Sequence, residues 1–368
     1  MLQITKPTLL LDKSICIKNI ERMVSKARSS GLTLRPHCKT HQSHEIASWF
    51  LDFGISKITV SSFDMAAYFA RAGWRDILVA FPFNPLEINR LNELSRICKM
   101  SVLTDQPETI GALEKLDLQI GLYIDIDPGY GRTGIPSGAY QQIEDLIRLS
   151  MMNPKLVFSG FYCHAGHSYK AGNQTERDQI HQQAMSDLSG LKRHFSAYHP
   201  RILYGDTPNC STQSDFRGLD EITPGNFVFY DLTQASLGSC NESDIAVAMA
   251  CPVVSKHTGS QEMVIHGGAV HFSKEKLESN GQVIYGKGVD FHPTGWSPVP
   301  QGSYITSLSQ EHGVVAVTKD IMAKTRIGDL LVFHPVHSCL TANLMKQYTT
   351  LEGRVISMQQ DPYPRQYL

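Results

Sequence analysis

Two short runs in this chain hold the residue types best suited to chemistry. Lys39 ends the run Arg35-Pro36-His37-Cys38-Lys39-Thr40-His41, directly after an extended stretch from Leu32 to Pro36. Pro36 biases Arg35 toward extended geometry and lacks a donor for a sheet ladder, so the strand should stop here and pass Lys39 to a strand-end position. An amine so placed can form a Schiff base with a carbonyl compound. The second run, Phe333-His334-Pro335-Val336-His337-Ser338-Cys339-Leu340-Thr341, spaces His337 and Cys339 by two. On an extended segment both side chains point to one side, and imidazole plus thiolate is a zinc-type ligand pair. The spacing alone also describes a buried cysteine beside a surface histidine.

Such groups need elements to position them. Short apolar or β-branched runs alternate with amphipathic stretches at helical spacing over residues 14–223, which predicts repeated βα units. The strand candidates are Leu32 to Pro36, Lys57 to Val60, Asp76 to Ala80, Met100 to Leu103, Ile120 to Asp125, Leu156 to Cys163, Ile202 to Leu203 and Glu221 to Thr223. Eight strands close a TIM barrel. A helix carrying Ile17, Ile20, Val24 and Ala27 precedes the first strand and stops at Gly31. Another carries Ile180, Ala184, Leu188, Leu191 and Phe195. After residue 244 helical periodicity fades and strands are separated by glycine-containing turns, the texture of an antiparallel β domain. The expected organisation is a (β/α)8 barrel over 14–240 and a mostly antiparallel β domain over 241–368, joined by 1–13.

Barrel enzymes carry their chemistry past the C-terminal ends of the strands. These positions hold Lys39, the run Asp127 to Gly134, His164 with His167, the run Gly205 to Pro208, and the run Pro224 to Asp231. Loops after strands seven and eight are the usual phosphate site of this architecture. A phosphate site opposite a strand-end lysine points to pyridoxal phosphate, whose aldehyde needs an amine. Each segment read separately is also an ordinary turn.

Lys39 in RPHCKTH, Arg132 in DPGYGRTG, His164 in FYCHAGH, the stretch PGNFVFYD and the His337-x-Cys339 motif occur in this order over essentially the whole chain. The sequence thereby resembles the alanine-racemase-like, fold type III pyridoxal-phosphate enzymes, and more closely their D-serine dehydratase and D-threonine aldolase group. The resemblance implies that Lys39 carries the cofactor, Arg132 contacts its phenolate, and His164 stacks on its ring, with Thr207, Gly225, Asn226 and Tyr230 near the phosphate. It also implies that His337 and Cys339 hold Zn2+ or another divalent metal, with positions open for substrate. The implied reaction is dehydration of a D-3-hydroxy amino acid, D-serine or 3-hydroxyaspartate, to a 2-oxo acid and ammonia. The alternative is retro-aldol cleavage to glycine and an aldehyde, as in D-threonine aldolase. Cys339 favours the dehydratases, because the aldolase subgroup is associated with a carboxylate at that ligand position. An amino-acid racemase, with a second base and no need of a metal, and a noncatalytic cofactor carrier are the remaining readings. The resemblance further implies a homodimer.

Composition narrows the partners. The formal charge of −1 with 19% charged residues offers no polybasic footprint for nucleic acid. No secretory leader pattern and no apolar run of about 18 residues occurs, which predicts a cytoplasmic protein with no membrane partner and a small-molecule substrate. The eight cysteines form no CxxC pair, as expected of reduced thiols. His37, His41 and His44 near the lysine, and His164 with His167, read as hydrogen-bonding or packing residues. The run His266-Gly267-Gly268-Ala269 and the loop Tyr285 to His292 read as active-site rims without assigned roles.

Overall fold

A computed structural model describes residues 3–279, 281–299 and 302–360. The chain divides into two compact units, one formed by residues 21–39 and 46–225, the other by residues 3–20, 40–45 and 226–360. Strand β1 (Thr8–Leu11) belongs to the second unit. The first contains β2 (Thr33–Leu34), β3 (Lys57–Val60), β4 (Asp76–Pro82), β5 (Lys99–Thr104), β6 (Ile120–Asp127), the short β7 (Ile135–Pro136), β8 (Leu156–His164), β9 (Arg201–Gly205) and β10 (Glu221–Ile222).

Eight of these strands are parallel and run in the order β2-β10-β9-β8-β6-β5-β4-β3, with β7 added beside β6. The ring closes by a parallel bridge between His37 and Thr59. There Thr59 N–H donates to Pro36 O (2.9 Å) and Cys38 N–H to Thr59 O (2.8 Å). Pro36 shortens β2 to two residues as its missing N–H demands. The flanking residues nonetheless keep pairing: Arg35 N–H donates to Ile222 O and His37 N–H to Pro224 O, both at 2.9 Å. Lys39 follows immediately, in a turn.

Inward-facing Leu78, Leu103, Tyr123, Tyr162 and Leu203, with Ala80 against them, fill the barrel. Each such side chain contributes about 1.5–3 kcal/mol of transfer free energy. Near the N-terminal strand ends the filling is ionic. The fully buried Glu221 carboxylate meets Arg35 Nε (2.5 Å), Arg201 Nη2 (2.5 Å) and Lys57 Nζ (3.1 Å), while Arg35 also reaches Asp76 (2.8 Å). Burial would raise the Glu221 pKa, yet the three cations outweigh it and hold the carboxyl below its usual range. This cluster lies at the stability end of the barrel, which leaves the C-terminal ends for chemistry.

The second unit is built on an antiparallel sheet. Its strands are β11 (Val247–His257), β12 (Glu262–His266), the hairpin β13 (Leu277–Ser279) and β14 (Gln282–Ile284), β15 (Gly286–His292), β16 (Gly295–Pro298), β17 (Tyr304–Leu308), β18 (His312–Ala316), β19 (Leu330–Pro335), β20 (Gln347–Thr350) and β21 (Val355–Ser357). The order β12-β18-β17-β15-β19-β11 returns to its start, because β11 pairs with β12. Six strands therefore close a second, smaller ring, and closure removes the exposed edges that a flat sheet would offer. β1, β20 and β21 extend from β11, with β1 to β20 the parallel pair. Leu10, Ala248, Ala250, Trp296 and Val332 form a core here, and the Trp296 indole N–H donates to Ile245 O (3.1 Å).

Candidate active site

His164 is the last residue of β8 and lies in register with Gly205 of β9. Its Nδ1 is 2.6 Å from the Gly205 carbonyl oxygen, which only accepts, so Nδ1 carries the proton. Burial, followed by the positive charges of Lys39 and Arg132, lowers the His164 pKa to about 3. The ring is neutral at working pH. Lys39 and Arg132, the other two residues expected around the cofactor ring, thus both act on His164 within the barrel unit.

The loop after β6 is shaped by Asp127, whose Oδ1 accepts from the N–H groups of Gly129 (3.0 Å), Tyr130 (2.7 Å) and Gly131 (3.1 Å). This turns Tyr130 back over the barrel. Its ring meets His164 edge-on, with centroids 6.0 Å apart, and lies nearly parallel to His167 at 6.1 Å. The Arg132 guanidinium stands 5.2 Å from the Tyr130 centroid, a cation–π distance. A side chain at residue 166 would collide with that ring, since a Cβ on Gly166 would fall 2.5 Å from Tyr130 Cε1.

Beneath this group lies Asp125, buried in β6, with its Oδ2 accepting from the Thr133 hydroxyl at 2.8 Å. Burial pushes its pKa up to about 7, with Asp105 adding to the rise and Thr133 and Arg132 opposing it. A folded pKa above the unfolded value stabilises the fold fully below about pH 4, and that stabilisation is lost as pH rises through 7. Asp125→Asn should therefore melt higher relative to the native protein at pH 8 than at pH 4.5, by on the order of 2–4 kcal/mol. Thermal melting of both proteins across this range checks it, and equal differences at both pH values would refute the buried carboxyl.

At the end of β9, Asp206 caps the helix Thr207–Thr212, its Oδ1 accepting from Asn209 N–H at 2.6 Å. Burial raises Asp206 to about 6. Thr207 is the first helical residue, and its N–H donates to Tyr169 Oη (3.3 Å). The Thr223 hydroxyl donates to Tyr162 Oη (3.3 Å), and Gly225 follows Pro224 in the loop after β10.

The second unit carries the other expected residues. The strand preceding the His-x-Cys motif ends at Pro335, and His337 is the N-cap of the helix Ser338–Met345. The alternation expected of an extended segment does not bring His337 and Cys339 together; the turn into a helix does. Burial would lower His337 and raise Cys339. Their mutual hydrogen bond and charge outweigh burial, so His337 rises to about 9 and the Cys339 thiol falls below its usual range. The two groups thus favour each other's charged forms.

Asn226 Nδ2 donates to Asp231 Oδ2 (2.7 Å) and also lies within reach of Ser338 Oγ (3.2 Å) and Cys339 Sγ (3.4 Å). Ser338 N–H donates to the same Asp231 oxygen (3.0 Å). Thr40 Oγ1 lies 3.3 Å from Cys339 Sγ. Tyr230, buried between these partners in sequence, has φ of 50°, a left-handed conformation unusual for a residue with a bulky side chain.

Residues without a role from the sequence prove to be central supports. Tyr130, Thr40 and Asp231 sit inside the motifs already singled out, but only their contacts give them a function. Asp125 had a signal of its own: with Asp127 it is one of two acidic residues at the end of the otherwise apolar strand Ile120–Asp127.

Comparison with known proteins agrees with this geometry. Residues 12–229 match the family described as "Alanine racemase, N-terminal domain", and residues 246–351 match "Putative serine dehydratase domain". The chain belongs to the barrel-type, alanine-racemase-like pyridoxal-phosphate enzymes. It is similar to D-serine dehydratase of Dictyostelium discoideum, at 28% identity over 94% of this chain and 93% of that protein. It is 25% identical to D-threo-3-hydroxyaspartate dehydratase of Delftia sp. HT23 over 95% of each. The solved structure of the Delftia enzyme superposes with a TM-score of 0.89 over 97% of this chain and 98% of that one, at 23% identity. D-threonine aldolase of an Arthrobacter species is 26% identical over 93% of this chain and 88% of that enzyme. Among the described residues no helix is long and apolar enough to cross a membrane.

Proposed function

We propose that this protein is a pyridoxal-phosphate- and zinc-dependent dehydratase of D-3-hydroxy amino acids, with D-serine or 3-hydroxyaspartate as substrate and a 2-oxo acid and ammonia as products. The observation that carries this reading is the His337–Cys339 pair. A soft nitrogen and thiolate set is oriented by Asn226, Asp231, Ser338 and Thr40, in a chain whose barrel gathers Lys39, Arg132 and His164.

The residues fit both groups. For the cofactor, Lys39 supplies the amine, neutral His164 the stacking ring, Arg132 the phenolate contact, and Thr207, Gly225, Asn226 and Tyr230 the surroundings of the phosphate. Bound pyridoxal phosphate supplies an electron sink for negative charge at Cα. Lys39, released by substrate, accepts the Cα proton at Nζ. His164 cannot take that proton itself, since Gly205 fixes its Nδ1–H and its pKa lies near 3.

For the metal, Cys339 as thiolate and His337, once deprotonated, offer two ligands. Among the described residues no third metal-binding side chain joins them in a cluster. Two protein ligands leave positions for a substrate hydroxyl and carboxylate, and a bound divalent ion supplies Lewis acidity for hydroxide departure. Asp231 and Asn226 hold the ligand turn in place.

The family likeness makes a homodimer the expected assembly. Eight free cysteines suit a reducing, cytoplasmic compartment.

Arg132→Ala should retain cofactor while turnover falls, because a phenolate contact tunes electronics more than it anchors. Complete loss of cofactor from that variant would contradict the role. The reading as a whole is tested by incubating the purified protein separately with D-serine, L-serine and the isomers of 3-hydroxyaspartate and measuring 2-oxo acid and ammonia. Release in equal amounts from D-isomers alone is expected. Interconversion of D- and L-serine without ammonia would replace this reading by a racemase.

A further inference from the structure

His266, His271 and Glu311 each offer one ligand atom, and these atoms lie within 4.8 Å of one another. His266 closes β12, His271 sits in the short helix Ala269–Phe272, and Glu311 occupies the turn between β17 and β18. Glu311 Oε2 is 3.7 Å from His266 Nε2 and 3.8 Å from His271 Nε2. The two imidazoles stand at 84° with centroids 5.6 Å apart, so they approach the carboxylate from different directions. Neither His337 nor Cys339 belongs to this cluster.

The frame behind it is rigid. The turn bearing Glu311 docks on residues 267–270 through three backbone bonds: Gly267 N–H to Glu311 O (2.9 Å), Ala269 N–H to Ser309 O (2.8 Å) and Val270 N–H to Gln310 O (3.2 Å). The approach is close enough that a Cβ on Gly268 would fall 2.3 Å from Gln310 O, so the docking depends on glycine there.

We propose that His266, His271 and Glu311 form a second divalent metal site, taking a borderline first-row ion such as Zn2+ or Co2+. Two imidazoles and one carboxylate match the ligand preference of such ions. An ion at roughly 2.0–2.1 Å from each donor subtends nitrogen–metal–oxygen angles wider than tetrahedral at the observed spacings, and a small shift of the half-exposed Glu311 side chain closes them.

His271 adds a coupling. Its Nδ1 accepts from Gly268 N–H (3.1 Å), so in the neutral ring the proton lies on Nε2. Coordination of the neutral ring through Nε2 requires the tautomer with its proton on Nδ1, and a protonated Nδ1 breaks the Gly268 contact. Metal uptake therefore rearranges the start of the helix Ala269–Phe272. That helix is tied to the one carrying Cys339, since the Thr341 hydroxyl donates to Phe272 O (3.0 Å), and Glu275, just beyond it, acts electrostatically on His337. The second site would brace the segment beside the catalytic ligand pair.

The test does not depend on the reaction. The full-length His337→Ala/Cys339→Ala double variant, stripped with a chelator, is equilibrated with Zn2+ and its metal content measured by elemental analysis. One saturable Zn2+ per chain is expected. Adding Glu311→Gln should weaken that binding at least tenfold, and Co2+ in the double variant should show the visible absorption of a low-symmetry nitrogen–oxygen site. Glu311 lies in a half-exposed turn, and circular dichroism with melting confirms that each variant is folded; should the double variant unfold, the native chain is titrated instead and should bind two Zn2+ per chain, one of them lost in Glu311→Gln. No saturable Zn2+ beyond the His337–Cys339 site, or unchanged affinity after Glu311→Gln, would overturn the proposal.

Discussion

Lys39→Ala is expected to abolish both the visible absorbance of the protein-bound cofactor and the activity. In the proposed reaction the lysine has two duties, holding the cofactor aldehyde covalently and receiving the Cα proton. His164 donates from Nδ1 and has a pKa near 3, so it cannot take over the second duty. Loss of a positioned general base alone costs about 10²–10⁴-fold, and loss of covalent positioning adds to it. Turnover should fall by at least about four orders of magnitude, measured as 2-oxo acid released per enzyme. An absorbance band unchanged in the variant would remove Lys39 from this role.

Removing the metal is the second large effect, and it should separate from the first. A strong chelator should cut the activity by at least about two orders of magnitude while leaving the cofactor spectrum intact, because neither Lys39 nor the phosphate loops supply a metal ligand. Zinc should restore it. His337→Ala and Cys339→Ala should each reproduce the chelated enzyme, and Cys339→Asp should move the preference toward harder ions such as manganese. The stripped protein also differs in protonation. With His337 raised to about 9 and Cys339 lowered, metal must displace the imidazolium proton, so reconstitution should be faster at pH 8.5 than at pH 6.5.

The alternation of strands and helices was legible because each barrel unit writes its own hydrophobic period. Lys57–Val60 agrees residue for residue with its expected strand, and the helix expected to stop at Gly31 does end at Ser29, with Gly31 at φ of 70°. What composition and periodicity could not give was closure. The bridge from His37 to Thr59 that completes the barrel is one residue pair long, and the six-stranded ring of the β unit depends on β11 meeting β12 across a bulge. Both are long-range pairings without a local signal.

The motifs were likewise legible as segments, because lysine, histidine, cysteine and glycine at strand ends are rare in combination. Their supports were not. Thr40 beside Cys339 joins positions 299 residues apart, and Asn226 beside Ser338 joins positions 112 apart. The geometry of the His-x-Cys pair also depends on a helix cap, whereas a period-two reading of the same residues presumes a strand.

The central claim is that Cys339 and His337 serve departure of a β-hydroxyl rather than cleavage of the Cα–Cβ bond. D-threonine offers both routes to the same protein, which makes its product partition the most direct measurement. With zinc-loaded enzyme, 2-oxobutanoate and ammonia should dominate, and D-serine should give pyruvate under the same conditions. Glycine and acetaldehyde as the main products from D-threonine, with no pyruvate from D-serine, would contradict the account and assign the site to aldol cleavage.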